Sequence, residues 1–426
     1  MDLNEKVIYK NNIHFHTLPT QKFKTVTIVV KCMAKLDRQT ITKRALLPFI
    51  LQQGTKNYPS EKKLMMKLDE LYGAVLSIDG AKKGNNHIIS FRLDVANENY
   101  ISNESQVMEE ALQLLKEIIF NPRTEANAFQ NKIVEREKLT LKNKIQSIYD
   151  DKLAYANMRL IDEMCKNELY HIHTNGYVDD LPDLNGEKMY EYYQTMLKED
   201  RMDIYIVGDF NKELMQDKLT DIFVREISTI DDKIVDDSKE IVNNKEIIET
   251  QPIQQAKLHI GYRTNCTYQD ENYFALQVFN GLFGGFPSSK LFINVREKNS
   301  LAYYASSRIE SHKGLLLVFS GIEAENFEKA RSIIEEQMNE MKLGAFSESE
   351  IEEIKSLIIS EIQETLDHPQ GTIELLYQQV VGNKSLSPTQ FIENINKVSK
   401  SQIEQVAKGI ELDTVYLLTN QGGEKI

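Results

Sequence analysis

Three cysteines in 426 residues, Cys32, Cys165 and Cys266, are too few and too scattered for a disulfide framework, and none stands in a Cys-x-x-Cys arrangement. They read as reduced thiols inside the fold. Positive charge is also short: 51 Lys and Arg stand against 64 Asp and Glu, a formal net charge of −13. A protein that tracks a phosphate backbone needs a basic face, so nucleic acid is not expected as a partner. No stretch reaches the roughly eighteen uninterrupted apolar residues of a membrane helix, and Met1-Asp2-Leu3-Asn4-Glu5-Lys6 has no basic region leading into an apolar run. No membrane partner is expected, and the expected location is the cytoplasm. Two reaction classes lack their signatures as well. Gly281 to Gly285 has no Gly-Lys-Ser/Thr ending, which excludes a phosphate loop, and no Ser/His/Asp or Cys/His set stands out by spacing.

What is present suits a globular protein: 41% of the chain is hydrophobic, enough for two or more cored domains. The order of elements is α+β. Strands are expected at 7–10, 13–16 and 26–30, a helix at 42–53, and a second helix capped by Ser60 and stopped by Gly73. Strands at 75–78 and 88–95 precede helices at 107–119, 126–148 and 154–164, then helix 187–197, strand 204–209 and helix 212–223. Residues 225–252 are polar and charge-rich and read as a linker between domains at 1–224 and 253–426. The second half repeats the mixture: strand 258–262, helices 272–283 and 288–296, strands 303–309 and 315–319, helices 324–342 and 347–366, and a last strand at 415–418. Similar size and order suggest an old duplication.

Two segments of the first half carry the functional argument. Ala45-Leu46-Leu47-Pro48-Phe49 runs through Ile50-Leu51-Gln52-Gln53 into Gly54-Thr55, and Glu137-Lys138-Leu139-Thr140-Leu141-Lys142-Asn143-Lys144-Ile145 lies on a later helix. Together they resemble the zinc site of the pitrilysin/insulinase family of inverted metallopeptidases, where a helix bearing His-x-x-Glu-His runs into Gly-Thr. The resemblance places the two histidines on Ala45 and Phe49, the glutamate on Pro48 and the third ligand on Lys144. In that family, residues four apart share a helix face and grip one ion while the carboxylate between them activates its water. Alanine, proline and phenylalanine offer neither lone pair nor base, and an ammonium repels a divalent cation. Sliding the register offers Glu135 or Glu137 but restores neither histidine. No metal or other cofactor is therefore expected. The pairs His14-x-His16 and His171-x-His173 share a face if on strands, yet neither has a carboxylate or thiol companion at motif spacing.

The second half follows the family more closely. Phe279-Asn280-Gly281-Leu282-Phe283-Gly284-Gly285-Phe286-Pro287-Ser288 resembles its glycine segment, and Arg296-Glu297-Lys298-Asn299-Ser300-Leu301-Ala302-Tyr303 its Arg-Glu-Lys…Leu-Ala-Tyr element. The resemblance makes Arg296 and Tyr303 the substrate-binding pair that faces the zinc site across a chamber, with Gly284 and Gly285 allowing a peptide close to the backbone. It implies two homologous α/β-sandwich domains of the HxxEH type, each a mostly antiparallel sheet packed with helices, forming half of a clam-shell. It implies further a chain inactive alone that pairs with an HxxEH-bearing homologue as a heterodimer, or with itself, around a peptide or unfolded polypeptide. The metal-less bacterial members associated with elongation factor P modification resemble it most. That leaves a second expectation, a scaffold without peptidase work. A third, a peptidase with an unusual metal site, has to bypass both Phe49 and Lys144.

Overall fold

The computed structural model describes residues 3–101, 106–225 and 244–420. The first unit comprises strands β1 (Lys6–Lys10), β2 (Ile13–Pro19) and β3 (Thr25–Lys35), helices α1 (Ile41–Leu51) and α2 (Glu61–Glu70), and the hairpin β4 (Val75–Lys83) and β5 (Asn86–Ala96). Helices α3 (Val107–Phe120), α4 (Asn131–Ser147), α5 (Lys152–Met164) and α6 (Gly186–Glu199) follow, then β6 (Arg201–Gly208) and α7 (Lys212–Ile222). The second unit opens with β7 (Lys245–Thr250) and β8 (Ala256–Arg263), then α8 (Tyr273–Asn280), the hairpin β9 (Ala302–Glu310) and β10 (Leu315–Ile322), and α9 (Phe327–Lys342). It ends with α10 (Glu348–Thr365), α11 (Pro369–Val381), α12 (Pro388–Lys397), α13 (Lys400–Lys408) and β11 (Glu411–Thr419).

The sheets run β1-β2-β6-β3-β5-β4 and β7-β11-β8-β10-β9. Leaving out β1, they superpose in kind: one parallel pair (β2 with β6, β7 with β11), then antiparallel neighbours out to an edge hairpin. The α+β fold of two like units is thus present. One expectation changes. The range 225–252 read as a linker because its charges mask a short apolar alternation, yet Ile247 and Ile248 sit in β7, which pairs in parallel with β11 and completes the second sheet. Residues 226–243 of that range lie outside the described residues.

Period explains the elements. In α3 the buried residues Val107, Ala111, Leu114, Leu115 and Ile118 recur at helical spacing, while β5 alternates buried Phe91, Leu93 and Val95 with more exposed partners. Ser60, Ser347, Ser387 and Ser399 cap α2, α10, α12 and α13 through side-chain oxygens that accept a backbone N–H. The expected helices at 272–283 and 288–296 are both present with wider-wound ends: α8 continues through a π-helical turn over Gly281–Gly285, and the next helix is π-helical over Phe292–Lys298.

Each sheet packs one face on helices of its own unit and the other on a helix of its neighbour. Ile373, Leu376 and Tyr377 of α11 cover Val29, Tyr205 and Val207 of the first sheet. In return, Leu160, Ile161 and Met164 of α5 cover Leu315, Leu317, Tyr416 and Leu418 of the second. Gly261 in β8 permits this approach, since a Cβ there would stand 2.1 Å from the Met164 sulfur. Ion pairs cross the same seam: Arg263 with Glu168 at 2.6 Å, Lys83 with Glu374 at 3.1 Å, and Lys31 with Glu374.

On the α11-covered face, His16 is stacked on Tyr205 and bridges Glu5 at 2.8 Å and Asp203 at 3.2 Å. Burial opposes the imidazolium, but hydrogen bonds to Asp203 and Glu5 outweigh it and raise the His16 pKa above its ordinary 6.5. A raised folded pKa stabilises fully below the unfolded value and is lost as pH rises through the folded one. His16→Gln is therefore expected to cost about 1–3 kcal/mol in denaturant unfolding at pH 6, with the gap to the native chain narrowing by pH 9. A gap that is constant with pH would show that His16 is neutral in the fold.

Candidate functional site

Helix α1 begins at Ile41 with no side-chain cap, and nine of its eleven residues are buried, so this is a core helix in which polar chemistry has little room. Arg44 is the exception. Only 1% exposed, it donates to Asp200 at 2.6 Å, to the Cys32 carbonyl at 2.7 Å and to His87 Nδ1 at 3.0 Å, tying α1 to β3, β5 and the end of α6. Burial works against its charge, and Asp200 with Tyr192 nevertheless holds the guanidinium above its usual value. His87 is pushed down to about 3 by burial and by Arg44, so it is neutral, accepting from Arg44 and donating from Nε2 to the Thr174 carbonyl.

Helix α4 packs across α1. Ala45 is 6% exposed and Pro48 is buried; Pro48 has no N–H, so the Arg44 carbonyl lacks its usual helical partner there. Phe49 is half-buried against the core of the first unit, and the Lys144 ammonium lies 5.5 Å from its ring centroid. The positions singled out on α1 and α4 therefore do meet, and a cation–π contact occupies the meeting point. Among the described residues Lys144 has no carboxylate within ion-pair distance. Glu137, two turns earlier on the same face of α4, is 5% exposed and bound by Arg136 at 2.7 Å, and Arg136 also donates to Gln53. The donor set does not fit zinc: alkyl, pyrrolidine and phenyl groups stand at three positions and a cation at the fourth. Gly54-Thr55 persists for a backbone reason. Gly54 has φ +136°, a Cβ there would meet the Tyr58 carbonyl at 2.7 Å, and Thr55 accepts from the Tyr58 N–H at 3.0 Å.

The histidine pairs have other work. His16 sits in the buried bridge described above; His173 bonds Asp162 at 2.8 Å and His171 the Glu168 carbonyl at 2.6 Å. Among the described residues no three or more His, Cys, Asp or Glu side chains gather in a metal-holding group. All three cysteines are buried, and burial raises each thiol to about 12.

In the second unit, Val295 and Leu301 are buried anchors on either side of a turn in which the Ser300 N–H bonds the Arg296 carbonyl at 3.1 Å. This leaves Arg296 exposed, its guanidinium 4.5 Å from the Phe292 ring centroid and without an ion-pair partner among the described residues. Tyr303, at the start of β9, is 69% exposed. Gly285 is exposed, whereas Gly284 is buried, and a Cβ on Gly284 would stand 2.6 Å from the Ser307 hydroxyl and 2.8 Å from Leu291. Close packing of this π-helical turn on β9 is sufficient reason for glycine at 284.

Comparison with known proteins bears on this geometry. Residues 183–358 match the family model described as peptidase M16 inactive domain. A Bacillus subtilis (strain 168) protein named probable inactive metalloprotease YmfF is 47% identical over 421 residues, 99% of each chain. The chain belongs to the M16 peptidase family. The pitrilysin/insulinase resemblance is thereby established, and this M16 chain is an inactive, metalloprotease-like member. A conserved protein from Enterococcus faecalis V583 shares its fold with a TM-score of 0.90 at 35% identity, covering 99% of this chain and 100% of that one. An M16 inactive-domain structure from Pseudomonas fluorescens superposes with a TM-score of 0.81 at 15% identity, each chain covered in full. No helix among the described residues is long and apolar enough to cross a membrane.

Sequence reading missed Arg44, His87 and Asp200. A lone arginine inside the apolar run of an M16 motif helix was the available signal, because such a charge has to find a buried partner. If α1 and α4 keep ligand spacing, the combined substitutions Ala45→His, Pro48→Glu, Phe49→His and Lys144→Glu should turn a chain that retains no zinc through dialysis into one that retains it stoichiometrically. A folded quadruple variant that still loses its zinc would show that the two helices stand in the wrong register.

Proposed function

We propose that this M16 chain is the non-catalytic half of a two-chain peptidase. It contributes Arg296 and Tyr303 to peptide binding while an HxxEH-bearing homologue contributes the metal. The observation that supports this reading is a contrast within one molecule: packing groups fill the metal positions, whereas Arg296 and Tyr303 are exposed and free of carboxylate partners among the described residues. A guanidinium and a phenol both donate hydrogen bonds and can hold a peptide carbonyl whose oxygen gains charge as the amide is attacked. Alone, the chain has neither base nor Lewis acid at this position and turns over no peptide. The proposal includes a heterodimer closing around an extended or unfolded polypeptide in the cytoplasm. Sequence resemblance extends it to a role beside elongation factor P modification.

The test is cleavage of a quenched fluorescent peptide library by this chain, by an HxxEH homologue and by their equimolar mixture. Activity is expected in the mixture only. Arg296→Ala in this chain should lower kcat/KM of the mixture by roughly 10²-fold, and Tyr303→Phe by a smaller factor, with assembly by size exclusion unchanged. Activity of the homologue alone, unaltered by mixing, would contradict the reading and favour a scaffold.

A further inference from the structure

Between the two units lies a cleft of about 420 Å³, walled by the ends of β4 and β9, by α4 and α5, and by the loop through His171 and Gly176. It lies apart from Arg296 and Tyr303, neither of which lines it. One wall is apolar: Ile145 and Ile148 of α4 with Met158 and Ile161 of α5. The polar groups divide into those already satisfied and those that are not. Asp162 is bound by His173 at 2.8 Å and Arg159 at 3.4 Å, and Glu310 by Arg308 at 2.9 Å.

Lys82 differs. Its ammonium donates to the Tyr170 carbonyl at 2.7 Å and the Ile172 carbonyl at 3.3 Å and lies 4.0 Å from the Tyr170 ring centroid, which leaves its charge without a carboxylate among the described residues. Neutral acceptors and a ring face compensate a charge only in part. Asn157 also lines the cleft, but its unpartnered amide oxygen is closed off from solvent and out of a ligand's reach. Lys144, with only the Phe49 ring beneath it, stands beside Ile145 in the chain and one turn before Ile148.

An unneutralised cation and an apolar wall lining one cleft match two groups of one ligand: a carboxylate and an apolar side chain. We infer that the cleft receives the C-terminal residue of a peptide with an apolar last side chain. Lys82 takes the free carboxylate, and Ile145, Ile148, Met158 and Ile161 surround the side chain. N-acylated apolar amino acids carry the same chemistry and are the other source of such a ligand. This goes beyond the role given to Arg296 and Tyr303 and does not depend on it.

The probe is a fluorescein-labelled pentapeptide ending in leucine, bound to the full chain and followed by anisotropy, beside its C-terminal amide and with N-acetyl-leucine and octanoate as competitors. The free acid is expected to bind at least tenfold more tightly than the amide, and Lys82→Met with an unchanged circular dichroism spectrum should lose that difference. Arg296→Ala should bind as the native chain does, so failure here is distinguishable from failure of the two-chain reading. N-acetyl-leucine competing as well as the peptide would assign the site to the acylated amino acid. Octanoate competing equally would overturn the peptide terminus as the ligand, and equal affinity of acid and amide would overturn the whole.

Should Lys82→Met not fold, pH supplies the second arm on the native chain. Burial pulls Lys82 down to about 8, against the raising influence of Cys165 just past the end of α5, Glu310 on β9 and Asp162 on α5, with Lys313 and the neutral His87 also near it and the Tyr170 ring against it. Affinity for the acid should fall as pH rises through that value while affinity for the amide stays flat. Parallel profiles for the two would overturn the assignment.

Discussion

The structure depends on an exchange of cover between its two units. Neither sheet buries both faces with its own helices: α11 lies on the first sheet and α5 on the second. Each fully buried Leu, Ile or Tyr in these contacts contributes on the order of 1.5–3 kcal/mol, so losing either helix would expose a wide apolar face to water. Glu168, 3% exposed and held by Arg263 and Lys313, adds a constraint of another kind, because a buried carboxylate is tolerable only while its cations stay in place.

That constraint accounts for an M16 fold that outlives its chemistry. A structural metal would make folding depend on its ligands, but here the positions that the resemblance assigns to ligands are taken up by packing. Ala45 faces the core, Phe49 lies beneath the Lys144 ammonium, and α1 is pinned by Arg44 to Asp200. The retained Gly54-Thr55 answers to the φ of Gly54 and to the hydrogen bond on Thr55, needs that outlast catalysis. The cost falls on function alone, since no base or Lewis acid remains at this point. In the second unit the Arg296 guanidinium, beside a turn anchored by Val295 and Leu301, and the Tyr303 phenol, at the start of β9, are both exposed.

Most of this fold was legible in the sequence because long, strongly periodic segments dominate it. Helices α2, α3 and α7 lie within a residue or two of where their apolar spacing and caps put them. Strand β7 was hidden because Lys245, Glu246 and Glu249 surround two isoleucines, and a six-residue edge strand carries little pattern against that charge. The helices expected at 272–283 and 288–296 are present, but their π-helical winding over Gly281–Gly285 and Phe292–Lys298 escaped, because apolar spacing does not separate it from α. Within the site, Phe49 and Lys144, the positions paired by motif spacing, lie 5.5 Å apart ring to ammonium, while the Arg44–Asp200 bond, 156 residues apart in the chain, had no local signature.

If mutual cover rather than metal holds this M16 chain together, its two units must open as one. Hydrogen exchange read by mass spectrometry across a denaturant series tests this directly, following the amides of β3 in the first sheet and β8 in the second. The account predicts that both strands lose protection at the same denaturant concentration, unchanged by a chelator or by added zinc. Separate transitions for the two strands, or a midpoint that moves with zinc, would contradict it.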